Sequence, residues 1–228
     1  MRPSAAFPRC PLIEPTGKTR AMCNLYRMTK GVDEVARLFG ATVPPRQLNF
    51  PEEVYPGYPG LVVRERDAGE RVLESMTWGF PIRPRGMKPE SKPKPVNNIA
   101  DVRKPMWSRL ARTPRGRCLV PLTGFCEAEG EKGCKTRTWL SEPEQPVFAW
   151  AGLWRISDEW GPVYSGAMTD CNEAVRPVHN RMPVILQPHE WELWLRGSFE
   201  DVCALQDRCY PNHLVAIERT ADSWAKRA

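Results

Sequence analysis

The stretch LVVRERDAGERVLESMT, residues 61–77, decides the fold class. Two runs rich in valine and other apolar residues, Leu61–Arg66 and Arg71–Thr77, flank the turn sequence Asp67-Ala68-Gly69-Glu70. Apolar runs separated by a short connection that contains glycine predict a β-hairpin. The hairpin supplies an antiparallel pair of strands from which a larger sheet can be built.

Segments on either side of the hairpin predict further strands and a few short helices. Strands are predicted at Arg117–Leu122, Lys135–Leu140, Val147–Leu153, Val163–Met168, Val184–Leu186 and His213–Ile217. Helices are predicted from Val32 to Phe39 before Gly40, from Pro188 to Leu195, and after Ser198, which can form a capping box with Asp201. Hairpin-linked strands with few helices predict an α+β fold, a single domain with a largely antiparallel, curled or barrel-like sheet and peripheral helices.

Length and composition indicate a globular protein. The 228 residues suit one domain, and 41% hydrophobic with 26% charged residues are typical values. No run approaches the roughly 18 apolar residues needed to cross a bilayer. Residues 1–21 are proline-rich and aperiodic, so we expect a disordered extension upstream of the true start, followed by one domain at 22–228. No export signal is recognisable, which favours a cytoplasmic location.

Positive charge is concentrated in residues 83–117, which contain eleven lysines and arginines against two acidic residues. Such runs are usually solvated faces, but one this one-sided also suits a surface that follows phosphate groups. The part at 81–97, rich in proline and lysine, predicts a surface loop. Trp78 stands just before this loop and is predicted to be exposed, where it would stack on a base of single-stranded DNA.

The cysteines are informative at one position. Eight cysteines include no C-x-x-C pair and only three histidines accompany them, so no metal site is expected. A cytosolic protein is expected to keep its cysteines unpaired. Cys23 differs because it follows an internal methionine, Met22. Removal of that methionine would leave a free α-amine, with an ordinary pKa of about 8, beside the thiol. A 1,2-aminothiol condenses with aldehydes to a thiazolidine; an ordinary structural cysteine is the alternative.

Three polar side chains are candidates for proton transfer and orientation. His179 lies in a turn, and the ordinary pKa of histidine near ~6.5 suits proton transfer in both directions. Glu127 ends a strongly apolar stretch, where burial would raise the pKa of its carboxyl toward the general-acid range. Asn98, or its neighbour Asn97, would orient an intermediate, although both are also typical turn residues.

Four short motifs in this order resemble the SRAP (SOS-response-associated peptidase) family, whose members process abasic sites in DNA and crosslink to them. The motifs are Met22-Cys23, Trp78-Gly79-Phe80, Arg117-Cys118-Leu119-Val120-Pro121 running to Gly124-Phe125-Cys126-Glu127, and His179-Asn180-Arg181-Met182-Pro183. The resemblance extends over about residues 22–218. It implies that the catalytic residues are Cys23, Asn98, Glu127 and His179, and that Arg181 contacts a DNA phosphate.

Two positions depart from the family pattern. The arginine expected two residues after the asparagine is Ala100, so Arg103 or Lys104 would have to replace its phosphate contact. The aromatic residue that often follows the glutamate is Ala128, which removes one stacking contact. Neither departure touches the residues of the core chemistry.

The resemblance implies a sensor of abasic sites in single-stranded DNA that acts in the DNA damage and SOS response. The protein would form a covalent thiazolidine crosslink through an N-terminal Cys23, a lyase-like activity that needs no cofactor and no metal. We expect a cytoplasmic monomer, associated with the nucleoid when bound to DNA and not with membranes. Two alternatives stay open: a cysteine peptidase that cleaves its own chain with Cys23 and His179, and a non-covalent reader of single-stranded DNA.

Overall fold

The computed structural model describes residues 23–66, 69–84, 86–88 and 90–225. The predicted disordered extension and the predicted start at Met22 lie outside the described residues. Within them the strands are β1 (Tyr26–Arg27), β2 (Glu53–Val54), β3 (Pro59–Glu65), β4 (Arg71–Trp78), β5 (Phe80–Ile82), β6 (Lys94–Val96), β7 (Asn98–Ile99), β8 (Arg117–Leu122), β9 (Gly124–Glu129), β10 (Thr136–Ser141), β11 (Phe148–Ser157), β12 (Gly161–Asp170), β13 (Arg181–Pro183), β14 (Ile185–Leu186) and β15 (Ala216–Ser223). The α-helices are α1 (Val32–Phe39), α2 (Pro105–Arg112), α3 (Trp191–Arg196) and α4 (Phe199–Asp207), and short 3₁₀ helices span Pro114–Gly116, Pro188–Glu190 and Asn212–Leu214.

Five strands close on themselves and form a barrel. In order around the barrel, β12 pairs with β4, β4 with β3, β3 with β8, β8 with β11, and β11 again with β12. Only the β4–β12 pair in this ring is parallel. The hairpin predicted at residues 61–77 is confirmed as β3 and β4, with Val62 opposite Glu74. The prediction of an α+β fold with a largely antiparallel, barrel-like sheet is therefore confirmed.

A second, five-stranded sheet has the order β15-β10-β9-β1-β2. All of its pairings are antiparallel. The two-residue strand β1 lies between β2 and β9, with Tyr26 opposite both Val54 and Phe125. Since Cys23 stands three residues before Tyr26, this pairing determines where the start of the described chain is held.

The larger sheet buries apolar side chains on both of its faces. Leu61 and Val63 belong to one hydrophobic cluster, together with side chains of all four helices, whereas Val62 belongs to the other. Alternate residues of a strand point to opposite faces, so one face is covered by helices. The second cluster contains Cys23 and Phe125, and it joins the barrel to the five-stranded sheet.

Two predicted helices are confirmed together with their end signals. Helix α1 buries Val35 and Phe39 on one face and ends at Gly40, whose φ of 59° is the left-handed conformation that glycine adopts without strain. Helix α4 begins after Ser198, whose hydroxyl accepts a hydrogen bond from the Asp201 amide while the Asp201 carboxylate accepts one from the Ser198 amide. This reciprocal capping box is the one that the sequence predicted.

Several predicted elements differ from the structure. The surface loop predicted at 81–97 includes the antiparallel pair β5–β6. Helix α2 was not predicted, because its buried residues are few and arginines interrupt the apolar pattern. The strand predicted at His213–Ile217 has the wrong bounds, because a 3₁₀ turn spans Asn212–Leu214 and β15 begins only at Ala216. The prediction of unpaired cysteines is wrong for Cys209, which is disulfide-bonded.

Candidate functional site

Cys23 is held against β9 by an extension of the β1–β9 pairing. The Cys126 amide donates to the Leu25 carbonyl at 2.9 Å, so the antiparallel contact continues from Tyr26 toward the start of the described chain. The Cys23 side chain is fully buried, and its thiol donates to the Leu25 carbonyl at 3.4 Å. Cys23 is therefore a fixed, enclosed group beside the carboxyl end of β9.

The surroundings keep the Cys23 thiol protonated. Burial raises the pKa of the Cys23 thiol well above its ordinary value, and the negative charge of Glu127 raises it further. A backbone hydrogen bond from the Leu25 position lowers this pKa but is the weaker influence. The thiol is consequently a neutral group at neutral pH, with a carboxylate close enough to affect its ionisation.

Two asparagine amides converge on the backbone carbonyl of Cys23. Asn98 Nδ2 donates to that oxygen at 2.7 Å, and Asn97 Nδ2 donates to it at 3.1 Å and to Asn24 Oδ1 at 3.1 Å. Asn98 is buried in β7, which runs parallel to β12 with Gly166 as its partner. Its Oδ1 is also buried and accepts no hydrogen bond from any described residue. Both asparagines thus contact Cys23, so either amide is close enough to be the orienting residue that the sequence predicted.

Glu127 and His179 are both buried polar residues, as a site enclosed between sheets requires. Glu127 lies in β9 opposite Thr138 and is 4% exposed. His179 is also 4% exposed, and its Nδ1 lies 3.0 Å from both the amide nitrogen and the carbonyl oxygen of Arg181, which fixes the orientation of the ring. Val178 packs in the same hydrophobic cluster as Cys23. The turn before β13 therefore places His179 next to a residue of the cluster that contains Cys23.

The prediction that Trp78 is exposed is wrong. Trp78 is fully buried, with its ring edge-on to Tyr26 at 5.1 Å and to Trp150 at 5.7 Å between centroids. Its indole N–H donates to the Asn97 carbonyl at 3.0 Å. The next residue, Gly79, has a φ of 113°, which favours glycine, and a Cβ there would lie 2.4 Å from Pro95 Cβ. Trp78 is a packing residue that supports the asparagine segment.

The predicted DNA contacts have different environments. Arg103 is exposed, but its guanidinium already pairs with Asp101 at 3.3 Å and Asp207 at 2.5 Å. Lys104, its neighbour, is exposed and has no ion pair among the described residues. The family pattern expects an arginine where this chain has Ala100. Lys104 is better suited than Arg103 to supply the phosphate contact of that arginine, because the charge of Lys104 is not already compensated.

Arg181 has an internal contact set that the sequence did not indicate. Its Nη2 donates to the carbonyls of Ala100 and Met168, each at 2.9 Å, and Nη1 lies 3.5 Å from Asp170. The guanidinium therefore ties the segment after Asn98 to β12. A phosphate contact by Arg181 would have to use the remaining part of this partly exposed group.

Three contributors to the site could not be found from sequence motifs. Gln206 of α4 accepts the Val102 amide at 3.0 Å and donates to the Met168 carbonyl at 2.9 Å. The hydroxyls of Tyr26 and Tyr164 are hydrogen-bonded to each other, and burial raises the pKa of both. These residues lie far apart in sequence, so only the folded chain shows that they support the site.

Two further findings concern metal binding and membrane spans. Among the described residues, no group of three or more His, Cys, Asp or Glu side chains is arranged to hold a metal ion. The same residues include no helix long and apolar enough to span a membrane.

Comparisons with known proteins identify related sequences and structures. The family model described as SOS response associated peptidase (SRAP) matches residues 22–219. Similar curated proteins include the abasic site processing protein YoqW of Bacillus subtilis (strain 168) and the protein of that name from Bacillus phage SPbeta. Each is 25% identical over 204 residues, covering 83% of this chain and 87% of the relative.

Solved structures share the fold at low sequence identity. A Bordetella bronchiseptica protein matches with a TM-score of 0.71 at 20% identity, covering 87% of this chain and 99% of that one. A Bacteroides thetaiotaomicron protein matches with a TM-score of 0.70 at 19% identity, covering 86% and 91% of the two chains. At such identities the likeness concerns the fold alone.

Proposed function

The chain belongs to the SOS response associated peptidase (SRAP) family, and from this premise we propose that it processes abasic sites in single-stranded DNA by trapping them covalently through Cys23. The observation that carries the proposal is the convergence on Cys23: two asparagine amides meet its carbonyl, and the charge of Glu127 acts on its thiol. The printed name of the Bacillus subtilis relative, an abasic site processing protein, supports the same substrate class.

The proposed chemistry needs only the amine and thiol of one residue. The neutral α-amine of Cys23 attacks the aldehyde carbon of the ring-opened abasic sugar, and loss of water gives an imine. The thiol then adds to the imine carbon, a carbon–sulfur bond forms, and the thiol proton is transferred to nitrogen. Water is the only molecule released, so neither an oxidant nor a metal takes part.

The surrounding residues have separate roles in this proposal. Glu127 accepts the proton of the neutral thiol as sulfur attacks, because its carboxylate is the charged group that acts on that thiol. Asn98 holds the Cys23 carbonyl and keeps its own buried Oδ1 for the intermediate. His179, oriented through Nδ1, transfers the proton that opens the sugar ring.

The same chemistry requires a free α-amine at Cys23. While an amide joins Met22 to Cys23, the nitrogen lone pair is delocalised into the carbonyl and is not nucleophilic. We therefore propose that the active chain begins at Cys23, either through translation from Met22 and removal of that methionine or through cleavage before Cys23.

The two alternative functions are less well supported. A cysteine peptidase attacks with a thiolate, and thiolates form beside cationic groups, whereas burial and Glu127 raise the pKa of the Cys23 thiol. A non-covalent reader of single-stranded DNA would use Trp78 and the basic stretch at 83–117, and Trp78 is fully buried.

The proposal is tested with three proteins and one DNA. Protein beginning at Cys23, full-length 1–228 protein of verified mass, and a Cys23→Ala variant of the shorter chain are incubated with abasic single-stranded DNA and separated on a denaturing gel. We expect a heat-stable adduct from the Cys23-initiated protein alone. Full-length protein should bind the same DNA without forming the adduct.

A matched cysteine variant controls for general thiol reactivity. Cys134 is exposed and free, so Cys134→Ser should leave the adduct yield of the Cys23-initiated protein unchanged. Equal adduct from Cys23→Ala, or efficient adduct formation by uncleaved full-length protein, would disprove the α-amine mechanism.

A further inference from the structure

A second surface feature lies outside the Cys23 site. A groove of about 580 Å³ runs between α2 with the following 3₁₀ turn and the β11 strand. Its walls include Phe80, Met106, Arg109, Leu110, Arg115 and Arg155. None of Cys23, Asn97, Asn98, Glu127 or His179 lines it. The groove therefore needs an explanation of its own.

The wall formed by α2 presents apolar side chains to the opening. Met106 is 43% exposed, which makes it one of the most exposed large apolar side chains among the described residues. Leu110 follows four residues later on the same helix face and is half-buried. Exposed apolar side chains in a groove wall can receive the apolar side chains of a bound peptide, and methionine adapts to irregular partners.

The rim of the groove is positively charged. Arg109, Arg115 and Arg155 are all exposed, and no aspartate or glutamate lines the groove with them. Arg109 forms no ion pair with any described residue, and the Arg155 guanidinium lies 5.0 Å from the centroid of the Phe80 ring. The like charges of Arg109 and Arg155 beside an apolar floor favour an occupant that brings carboxylates to the rim and apolar groups to the floor.

Single-stranded DNA fits this surface less well than a peptide. Bases bind non-specifically by stacking on open aromatic faces. Phe80 is 1% exposed, packed against Trp107 and covered by Arg155, while the Arg64 guanidinium lies 4.6 Å from the centroid of the Trp154 ring. A phosphate backbone would match the arginines but would leave the apolar floor uncovered.

We propose that this groove docks an acidic peptide segment of a partner protein that carries apolar side chains. Its apolar residues would pack on Met106 and Leu110, and its carboxylates would pair with Arg109 and Arg155. The chain's own residues 1–21 are an unsuitable occupant, because they contain four basic residues and one acidic residue. The occupant is therefore another protein, brought to the surface of a molecule proposed to act on DNA.

The test is a selection followed by binding measurements. Full-length protein is used to select from a library of random 12-residue peptides, and the enriched peptides are measured by fluorescence anisotropy. We expect peptides rich in Asp or Glu and Leu or Phe, with micromolar Kd values that weaken about tenfold when salt rises from low to high concentration. Arg109→Glu and Met106→Ser should each weaken binding about tenfold.

The matched control lies on the same helix. Arg112 is exposed on α2 but its guanidinium lies over Phe199, outside the groove, so Arg112→Glu should change peptide affinity less than about twofold. Selection of basic peptides, no enrichment, or enriched peptides insensitive to Arg109→Glu would overturn the proposal. Competition by a thymidine oligonucleotide that depends on Arg109 and Met106 would assign the groove to DNA and overturn it as well. Thermal unfolding of each variant checks that the fold is intact.

Discussion

Cys23 has a thiol whose reactivity is limited by its surroundings. Burial and the charge of Glu127 raise its pKa, so only a small fraction is thiolate at neutral pH. Thiolates rather than thiols react with alkylating agents. The proposed ring closure tolerates a neutral thiol, because the imine is already electrophilic and a carboxylate is at hand to accept the proton.

This protonated thiol gives the first prediction at the residue scale. In the folded full-length chain, Cys23 should react with iodoacetamide about 100-fold more slowly than the exposed Cys134 at neutral pH. Because the pKa of Cys23 is raised, its thiolate fraction and alkylation rate should keep rising about tenfold per pH unit between about pH 7 and 9. Peptide mapping by mass spectrometry measures both rates. A plateau of the Cys23 rate at or below neutral pH would indicate a stabilised thiolate and would favour the peptidase.

His179 gives a second prediction at this scale. In the Cys23-initiated protein, His179→Ala should slow crosslinking about 100-fold, a typical loss for a general acid or base, while DNA affinity changes little. The matched control is His189→Ala, since His189 is exposed on a 3₁₀ helix and has no role in the proposal. Single-turnover crosslinking and anisotropy with unmodified single-stranded DNA separate the two effects. Parallel loss of binding and crosslinking would identify His179 as a structural residue.

At the scale of elements, α4 braces the segment that holds the asparagines. Gln206 bonds to the Val102 amide and the Met168 carbonyl, and Arg103 is paired with Asp207 at the end of the same helix. The helix thereby connects the residues after β7 to β12. We expect the position of Asn98 beside Cys23 to depend on this remote contact.

The brace predicts a stability loss. Gln206→Leu should lower the free energy of unfolding by about 1–3 kcal/mol, because the buried Val102 amide loses its acceptor. Glu200→Gln, an exposed substitution on the same helix, should change it by less than about 0.5 kcal/mol. Denaturant unfolding followed by fluorescence measures both. Equal stability of Gln206→Leu and the parent protein would show that the brace is not needed.

At the scale of the whole molecule, the cations of the basic stretch at 83–117 are of two kinds: some are buried or paired, and others are exposed. Arg117 of the basic stretch is buried and donates to the carbonyls of Ala111, Trp194 and Gly197, and burial lowers its pKa to about 10. It is a structural cation. Several exposed lysines and arginines of the stretch have no ion pair among the described residues, and they are Lys88, Lys92, Lys94, Lys104 and Arg109.

Salt dependence distinguishes these groups. Lys104→Ala should make the slope of log affinity for single-stranded DNA against log salt concentration shallower by about 0.7, the contribution of one phosphate contact. Arg103→Ala, at the neighbouring position, should change the slope less because two carboxylates already compensate its charge. Anisotropy titrations at several salt concentrations give both slopes. A larger change for Arg103→Ala would reverse this assignment.

The sequence by itself determined the elements whose signals are local. Apolar runs on either side of a glycine-containing turn mark the two strands of the hairpin, and capping residues mark the ends of the helices. Both signals involve residues only a few positions apart in the chain. The same holds for the order of the four motifs, which was enough to indicate the family. Glu127 and His179 were predicted as site residues in this way, although the burial of His179 was not predicted.

Only the tertiary structure decided which side chains are buried and what they contact. Trp78 is apolar enough for a core and also suited to stacking on DNA, and only the packing of Tyr26 and Trp150 around it shows that it is buried. Closure of the barrel, the convergence of both asparagines on Cys23, and the Gln206 brace all join residues distant in the chain. Burial and electrostatics depend on such long-range contacts, which a one-dimensional pattern does not encode, because they arise only when the strands pair and exclude water.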